Sequence, residues 1–266
     1  MWPLLAHLLL VWSGAFSHPL TPFISTALQK FTASSWNARA LIHHDAHLRK
    51  LKAQHLARFA HNSSVFAVQE VHGTLCDMKL FFHHFERTHY IAFSPAPARD
   101  TGGVVTLWCK KQFASNSNYD AKVIIAGRVL RTEVSFRDAS NTKTIIHYNV
   151  HNHNLSATDY QTLTFNIRND TELCKAAPDT TSIVIMGDFN FLSAGETSLT
   201  LDSTLALREH TSGHRAVWSK ILALFTELEV REHNHFCSAT NSSSSINKAF
   251  IYAPSWIFTI LKFSGR

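Results

Sequence analysis

Four short apolar segments of this sequence, each predicted to form a β-strand, end in a carboxylate or amide side chain. The clearest is SIVIMGDFNFL, residues 182–192, in which an apolar run reaches Gly187 and is followed by Asp188 and Asn190. Because side chains alternate along an extended chain, these two polar groups point to the same side of the backbone. The other three segments end at Asn37, at Glu70, and at a group formed by Asn149, His151 and Asn152.

Two interpretations of these strand ends are open. A single polar residue at a strand end has a simple structural explanation, because strands commonly finish in polar turns. Four such ends in one chain, two of them carrying acids, instead favour a functional site. The rim of a sheet is where loops carry chemistry on a rigid scaffold.

Segments with helical spacing separate the apolar strands. Residues 43–62 carry apolar side chains at helical intervals, and residues 156–177 begin with Ser156 followed by Asp159, a pair typical of a helix start. Further predictions are helices over 77–89 and 203–232, the latter interrupted at Gly213, and a Ser-rich loop over 241–246. Strands interleaved with helices, without a dividing linker, predict one α/β or α+β domain over residues 33–266.

The charge balance favours a negatively charged partner. The chain has 25 Lys and Arg against 19 Asp and Glu, a formal net charge of +6, which suits DNA or another polyanion. The 18 histidines lack cysteine partners at zinc-finger spacing, so no structural zinc site is expected. Basic side chains that could contact phosphates, but that equally suit a solvated surface, are Arg39, Lys110, Lys111, Arg128 and Arg131.

The first residues, MWPLLAHLLLVWSGAFS, form an apolar leader with two open interpretations. Ala15, Phe16 and Ser17 give a small-x-small cleavage pattern, but no Lys or Arg precedes the apolar core. The leader is too short and too interrupted to span a bilayer. Residues 1–32 are therefore a cleaved signal peptide of a secreted protein, or a leader upstream of the domain in a nuclear or cytoplasmic one.

An ordered set of motifs runs from about Ser34 to Trp256. WNARAL, VQEVHG, RDTGGVVTLW, NVHN and GDFNF resemble the successive motifs of the endonuclease/exonuclease/phosphatase superfamily, which includes deoxyribonucleases and apurinic endonucleases. They are most similar to the endonuclease domains of LINE-type retrotransposons. The resemblance implies a two-sheet β-sandwich flanked by helices, which cuts phosphodiesters with Mg²⁺ (or Mn²⁺) and has DNA as its partner.

The resemblance also implies roles for the strand-end residues. Glu70 and Asn37 would hold the metal, with Glu70 as the hard oxygen ligand that Mg²⁺ prefers. Asp188 would orient or deprotonate the attacking water, or protonate the leaving oxygen, while Asn190 positions both Asp188 and the phosphate. Asn152 would hydrogen-bond the scissile phosphate. Further phosphate-binding residues would be Asn149, His151 and Arg128.

The sequence departs from the family pattern in three places. Asn149 stands where related nucleases often have a tyrosine, and Asn247, within SINKAFIYAPSW, stands where an aspartate is expected. An amide cannot supply the negative charge that holds an imidazolium. After Trp256 the chain reads IFTILKFSGR, without the terminal Ser-Asp-His of the family, and no histidine follows His235.

These departures predict severely impaired cleavage, because the members of a catalytic unit act together. They also predict that the sandwich lacks its last strand and has an unpaired sheet edge. The missing motif would reflect a truncated or decayed gene copy, or an incomplete gene model.

Three functions remain in competition. The first is a DNA endonuclease of retrotransposon origin. The second is a secreted phosphodiesterase acting on a small phosphodiester, which the leader favours and the positive charge disfavours. The third is a non-catalytic remnant that binds nucleic acid through its basic side chains. The sequence makes no prediction about oligomeric state.

Overall fold

The computed structural model of the protein describes residues 7–12, 31–42, 44–113, 117–138, 141–190, 198–200, 205–206, 213–228, 235–237, 242–244, 247–252 and 258–261. Within these ranges the chain forms two six-stranded sheets, a small four-stranded sheet and four α-helices. None of the described helices combines the length and the apolar character needed to cross a membrane.

The first sheet is mixed, because its central strands β2 and β3 are parallel and its other pairs are antiparallel. Its strand order is β16-β1-β2-β3-β5-β4. The strands are β1 (His7–Trp12), β2 (Thr32–Asn37), β3 (Val65–Gln69), β4 (His89–Ser94), β5 (Val104–Cys109) and β16 (Phe258–Leu261).

The second sheet has the order β12-β15-β9-β8-β7-β6, and its parallel pair is β8 with β9. Its strands are β6 (Asn118–Ile125), β7 (Val129–Asp138), β8 (Asn141–His151), β9 (Thr181–Asp188), β12 (Thr226–Leu228) and β15 (Asn247–Tyr252). The small sheet, in the order β11-β10-β14-β13, contains β10 (Ser198–Thr200), β11 (Leu205–Ala206), β13 (His235–Cys237) and β14 (Ser242–Ser244).

Three of the helices begin where a short polar side chain, Asp45, Thr74 or Ser156, satisfies free backbone N–H groups of the first turn. The predicted start at Ser156 is confirmed, because Ser156 Oγ accepts from Asp159 N at 3.1 Å and Asp159 Oδ2 accepts from Ser156 N at 2.8 Å. The helices are α1 (Ala46–Asn62), α2 (Leu75–Phe82), α3 (Ala157–Ala176) and α4 (Gly213–Ile221), with short 3₁₀ turns at His83–Phe85 and Lys110–Gln112.

The layers pack as helices, sheet, sheet and helices, so the predicted sandwich is confirmed. Between the sheets, Ala67 and Trp108 of the first contact an apolar layer with Val184 and Met186 of the second. On the outer faces, α1 and α2 cover the first sheet, and α3 and α4 cover the second. Each large apolar side chain that is fully buried in these layers stabilises the fold by about 1.5–3 kcal/mol.

Two strand–helix–strand units determine where the site lies. Helix α1 joins the parallel strands β2 and β3, which pair Asn37 with Gln69. Helix α3 joins β8 and β9, which pair His151 with Asp188. Because parallel strands end at the same edge of their sheet, both units bring their polar ends to one side of the sandwich.

Two predictions about the chain after β9 are wrong. Within the described part of residues 203–232 the helix is α4 (Gly213–Ile221), while Leu205–Ala206 and Thr226–Leu228 are strands. Part of the predicted Ser-rich loop, Ser242–Ser244, is also a strand, which pairs with β10 and β13. Backbone pairing with neighbouring strands, which local composition does not report, accounts for both differences.

Two strands near the ends of the chain continue the first sheet beyond β2. Strand β1, from the apolar leader, pairs with β2 in antiparallel register, and β16 pairs with β1. The leader thus contributes backbone hydrogen bonds to the first sheet, which the composition of residues 1–32 does not predict.

A buried ion pair fastens α3 to the second sheet. Arg131 on β7 donates from Nε to Asp170 Oδ2 at 2.8 Å and from Nη2 to Asp170 Oδ1 at 3.0 Å. The Tyr148 hydroxyl donates to the same carboxylate at 2.5 Å. Asp170 is only 6% exposed, so this planar, bidentate pair is shielded from solvent.

We expect Asp170→Ala to lower the free energy of unfolding by roughly 3–5 kcal/mol, because it removes the buried, bidentate partner of Arg131 and leaves that charge only the Glu133 carboxylate within hydrogen-bond distance, at 2.7 Å. Urea unfolding followed by circular dichroism would measure the change. Asp120→Ala is the control, because Asp120 is 73% exposed and lies 4.0 Å from Arg131. If both substitutions lowered the free energy of unfolding equally, the stabilising role of the buried Arg131–Asp170 pair would be contradicted.

Candidate active site

Four polar side chains meet at the end of the sandwich where the two parallel strand pairs finish. Asn37 closes β2, Glu70 follows β3, His151 closes β8 and Asp188 closes β9. The Asn37 amide nitrogen donates to Glu70 Oε1 at 3.0 Å and to Asp188 Oδ2 at 2.6 Å. His151 Nε2 lies 3.2 Å from Glu70 Oε1. We call these four residues the carboxylate cluster.

The backbone at Glu70 adopts a conformation that residues with side chains seldom adopt. Its φ of 52° lies in the left-handed region, at a cost of about 1 kcal/mol or more. The Glu70 carbonyl oxygen accepts from the backbone nitrogens of Ala40 at 2.8 Å and Leu41 at 3.3 Å. These hydrogen bonds stabilise the turn that carries the carboxylate into the cluster.

Gly187 allows β9 to approach β8 immediately before Asp188. Its φ is 151°, and a Cβ atom at this position would lie 1.9 Å from the carbonyl oxygen of Val150. Any other residue would push the two strands apart at this point. The glycine in the GDFN motif therefore determines where Asp188 lies relative to His151.

Asp188 is buried, and both of its carboxylate oxygens accept hydrogen bonds. Oδ2 accepts from Asn37, and Oδ1 accepts from the backbone nitrogen of Asn190 at 3.0 Å. Burial raises the pKa of Asp188, an effect that the hydrogen bond from Asn37 opposes but does not cancel. The side chain is therefore more basic than an exposed aspartate.

Glu70 has the opposite shift. Burial by itself would raise the pKa of Glu70, but the contacts with His151 and Asn37 outweigh it and lower the pKa to about 2. Glu70 is therefore ionised at neutral pH. Two neighbouring carboxyl groups whose environments move their pKa values apart are suited to different roles in one reaction.

Arg128 determines which nitrogen of His151 carries the proton. The Arg128 Nη1 atom lies 2.8 Å from His151 Nδ1, and a guanidinium group can only donate, so Nδ1 accepts. The proton of the neutral ring is then on Nε2, which faces Glu70. An imidazole is thus present in the cluster, although sequence reasoning found no substitute for the expected C-terminal histidine.

Asn152 and Asn190 hold the turn that follows β9. Asn152 Nδ2 donates to the carbonyl oxygen of Phe189 at 2.5 Å, and Asn152 Oδ1 accepts from the Tyr160 hydroxyl at 2.7 Å. Asn190 Nδ2 donates to the backbone oxygen of Asn152 at 3.0 Å. Asn190 is exposed at the rim, whereas Asn152 is buried with its amide engaged inside the protein.

Asn149, predicted to bind phosphate, lies between the two sheets and not in the cluster. It is fully buried, and its side chain accepts from Gln69 Nε2 at 2.7 Å and donates to the Val105 carbonyl oxygen at 2.9 Å. These bonds connect β8 to β3 and β5 of the other sheet. The structure therefore assigns Asn149 to the junction of the sheets, out of reach of a phosphate.

Asn247, the position at which the resemblance expects an aspartate, begins β15. The antiparallel register between β15 and β9 places its backbone opposite that of Asp188. The side chain of Asn247 lies outside the described part of the structure. Its backbone position is next to the cluster, as the family pattern implies.

The basic residues considered for phosphate binding fall into three groups. Arg128 contacts His151 in the cluster, and the exposed Arg39 follows Asn37 closely. Arg131 is buried in the ion pair with Asp170, so its assignment to a nucleic-acid surface is wrong. Lys110 and Lys111 follow β5 at the end of the first sheet away from Glu70, because β5 runs antiparallel to β3.

Two supporting residues had no recognisable signal in the sequence. Lys52 on α1 donates to the backbone oxygens of Ala38 and Ala40 at 2.8 and 2.9 Å, which holds the loop after Asn37. Tyr160 on α3 binds Asn152, as described above. Both act from a neighbouring helix, so no spacing within a strand motif reveals them.

The cluster fits a divalent metal ion. The oxygens of Glu70 and Asp188 and a nitrogen of His151 all lie within 4.8 Å of one another. With the proton of His151 on Nε2, the group offers the ion carboxylate oxygens, which are the ligands that Mg²⁺ and Mn²⁺ prefer. Among the described residues, this is the one group of three His, Cys, Asp or Glu side chains so arranged.

Solved structures of other proteins share the fold. An AP endonuclease from Leishmania major superimposes with a TM-score of 0.63 and 13% sequence identity, over 88% of this chain and 84% of that one. The APE2 catalytic domain from Xenopus laevis superimposes with a TM-score of 0.56 and 16% sequence identity, over 83% of this chain and 82% of that domain. A mannosyl-6-phosphatase from Bacteroides thetaiotaomicron superimposes with a TM-score of 0.50 and 13% sequence identity, over 85% of this chain and 86% of that one.

No protein-family model and no curated protein sequence matches this chain. At these low identities the shared property is the arrangement of strands and helices. The resemblance found in the sequence motifs is confirmed at this level: the chain has the fold of the endonuclease/exonuclease/phosphatase superfamily.

Proposed function

We propose that this protein is a divalent-metal-dependent phosphodiester hydrolase that cleaves DNA, derived from the endonuclease domain of a LINE-type retrotransposon. The observation that carries the proposal is the pair of carboxylates, Glu70 and Asp188, which share one amide donor and have opposite pKa shifts. The net charge of +6 supports a polyanionic substrate. The ordered motif set supports the retrotransposon origin.

Glu70 would hold the ion, Mg²⁺ or Mn²⁺, beside Asp188. When bound, the ion supplies positive charge against the phosphoryl oxygens. The low pKa of Glu70 keeps its carboxylate charged and ready to bind a cation. The amide nitrogen of Asn37 orients both carboxylates by donating to each.

Asp188 acts as the general base. A carboxylate oxygen of Asp188 takes a proton from the attacking water, and its raised pKa makes it a better base than an exposed aspartate. The backbone nitrogen of Asn190 holds the Oδ1 atom in place. Because Asn152 is engaged with Phe189 and Tyr160, its role is to hold this turn.

Arg128 and His151 complete the phosphate site. One Arg128 nitrogen holds His151, and the guanidinium group has further N–H donors of the kind that bind non-bridging phosphate oxygens. His151 Nε2 lies 3.2 Å from Glu70 Oε1, and this proximity helps to lower the pKa of the Glu70 carboxyl. Asn190 is exposed at the rim and would contact the phosphate, as the resemblance implies.

Cleavage should be slow. Asn247 lies opposite Asp188 in register, where the resemblance expects an aspartate that pairs with a histidine. General acid–base groups each contribute about 10²–10⁴-fold to a rate, and the amide of Asn247 supplies no negative charge to hold such a group as an imidazolium. This supports an impaired nuclease.

The nicking of supercoiled plasmid in Mg²⁺ at low salt tests the proposal. We expect slow nicking by the full chain and a loss of about 100-fold or more in Asp188→Asn, which removes the base. Asp179→Asn is the matched control, because Asp179 is exposed at the opposite end of β9. A folded parent that does not nick, or an Asp188→Asn variant as fast as the parent, would contradict the proposal.

Metal binding is testable without activity. Titration with Mn²⁺, followed by the loss of the free-ion electron paramagnetic resonance signal, should reveal one site that Glu70→Gln weakens about tenfold or more, since a hard cation loses a charged ligand. Glu172→Gln, which removes an exposed carboxylate paired with Lys175, serves as the control. Unchanged Mn²⁺ affinity in Glu70→Gln would show that the ion binds elsewhere.

A further inference from the structure

Positive charge is concentrated at the end of the first sheet that lies away from the carboxylate cluster. Three segments meet there: the last turn of α1 (58–62), the segment around the first 3₁₀ turn (83–89) and the segment of the second 3₁₀ turn (109–112). Together they contain four Lys or Arg residues and four His residues, but one acid. We call this feature the distal basic surface, and its lysines and arginines are Arg58, Arg87, Lys110 and Lys111.

Hydrogen bonds join the three segments. His89 Nε2 lies 3.1 Å from the Ala60 carbonyl oxygen, which ties the start of β4 to the last turn of α1. The backbone nitrogen of Lys110 donates to the Thr88 carbonyl oxygen at 2.9 Å. The Lys110 side chain donates from Nζ to the Glu86 carbonyl oxygen at 2.7 Å. The basic side chains of the three segments therefore belong to one continuous surface.

The distal basic surface and the carboxylate cluster lie at opposite ends of β3. Glu70 follows the last residue of β3, whereas Val65, its first residue, pairs with Trp108 at the end of β5 that leads into the second 3₁₀ turn. A strand rises about 3.3 Å per residue, so the five residues of β3 separate the two features by roughly 17 Å. A single phosphate therefore cannot contact both features.

Three cations of the distal basic surface are available to a ligand. Arg58, Arg87 and Lys111 are exposed, and none of their side chains forms an ion pair or a hydrogen bond within the described part of the chain. The one acid of the surface, Glu86, contacts His83 at 3.2 Å rather than any of these three cations. Their charges are therefore not neutralised inside the protein.

The positive charge also acts on a buried histidine beneath the surface. Burial lowers the pKa of His89, hydrogen bonds to backbone oxygens oppose this effect, and the charges of His61 and Lys110 lower the pKa further. His61 belongs to α1 and Lys110 to the second 3₁₀ turn. Cations from two of the three segments are thus close enough to act on one imidazole ring.

The chemistry of the distal basic surface favours a nucleic acid over a membrane. Lys and Arg side chains bind the phosphates of a polynucleotide backbone, whereas binding to a bilayer usually also inserts apolar side chains. The three segments contain none of the strongly exposed large apolar side chains of the described chain, and the nearest along the sequence is Leu80. The exposed His84 ring, 5.8 Å from the ring of Phe85, offers a face on which an unstacked base can lie.

We propose that the distal basic surface binds a single-stranded nucleic acid, with Arg58, Arg87 and Lys111 against its phosphates and His84 against a base. This binding goes beyond the proposed cleavage, because the surface is separate from the carboxylate cluster. A protein that cleaves one strand at the cluster would hold a second segment of nucleic acid at its opposite end.

The salt dependence of binding tests the proposal. A fluorescein-labelled oligothymidylate is titrated with the full chain in EDTA, which prevents metal-dependent cleavage, and anisotropy gives the affinity at several salt concentrations. Each phosphate of a single strand that a basic side chain neutralises adds about 0.7 to the slope of log K against log salt. The triple variant Arg58→Gln, Arg87→Gln, Lys111→Gln should therefore reduce the slope by about 2.

A second triple variant with the same change of charge is the matched control. It carries Lys122→Gln on β6, Arg168→Gln on α3 and Lys220→Gln on α4, three exposed residues of the second sheet and its helices. Its slope should equal that of the parent, and thermal melts verify that both variants fold. A folded distal variant that keeps the parent slope, a control that reduces the slope equally, or a parent that does not bind would overturn the proposal.

Photo-cross-linking locates the contact directly. An oligothymidylate with one 5-iodouracil base is irradiated in complex with the full chain, and mass spectrometry of the digested protein identifies the attached peptides. We expect cross-links within residues 83–89, and a loss of most of them in His84→Ala. Cross-links confined to the peptides of the carboxylate cluster would overturn the proposal.

The outcome for the distal basic surface is separable from the outcome for cleavage. A parent that binds the oligonucleotide with the expected slopes but does not nick plasmid contradicts the proposed function alone. A parent that nicks, with an unchanged slope in the distal variant, contradicts the distal surface alone. Cosedimentation with phosphatidylserine–phosphatidylcholine vesicles that the distal variant loses, together with an unchanged oligonucleotide slope, would assign the surface to lipid and overturn the proposal.

Discussion

The side chain on which the site depends most is the amide of Asn37. One nitrogen donates to Glu70, in the same sheet, and to Asp188, in the opposite sheet. Two carboxylates at this separation repel each other when both are ionised, and the shared donor offsets part of that repulsion. The chemical asymmetry of the pair has other causes: burial raises the pKa of Asp188, whereas at Glu70 the contacts with His151 and Asn37 outweigh burial and lower the pKa.

Contacts elsewhere in the fold align the two sheets so that their strand ends meet at one end of the sandwich. The Gln69 and Asn149 amides bind each other across the interface a short distance behind the cluster. The Trp108 indole donates to Thr132 Oγ1 at 2.9 Å further from the site. A buried amide pair of this kind is costly to leave unsatisfied, so it specifies how the sheets align. Gly187 then allows the last step, the close approach of β9 to β8.

Local sequence pattern was sufficient to find the strand ends and, with them, Asn37, Glu70 and Asp188, because strand alternation and strand termination are local properties. It was not sufficient to separate Asn149 from His151. Both lie on the inner face of β8, and only the position of the other sheet decides that one is enclosed and the other reaches the rim.

Contacts between residues distant in sequence also explain the other differences between the sequence predictions and the structure. Arg131 looked like a surface cation, but its partner Asp170 is distant in sequence on α3. The pairing of β1 with β2 depends on a sheet edge rather than on the composition of the leader. Lys52 and Tyr160 support the site from helices, where no spacing rule within a motif applies.

The position of the metal tests the central claim most directly. Crystals of the full chain soaked in MnCl₂ would be measured at the manganese absorption edge, and the anomalous difference map would locate the ion. The account predicts one peak bound to the Glu70 carboxylate beside Asp188, and no peak there in Glu70→Gln crystals treated in the same way. A peak held by other residues, or an unchanged peak after the substitution, would contradict it.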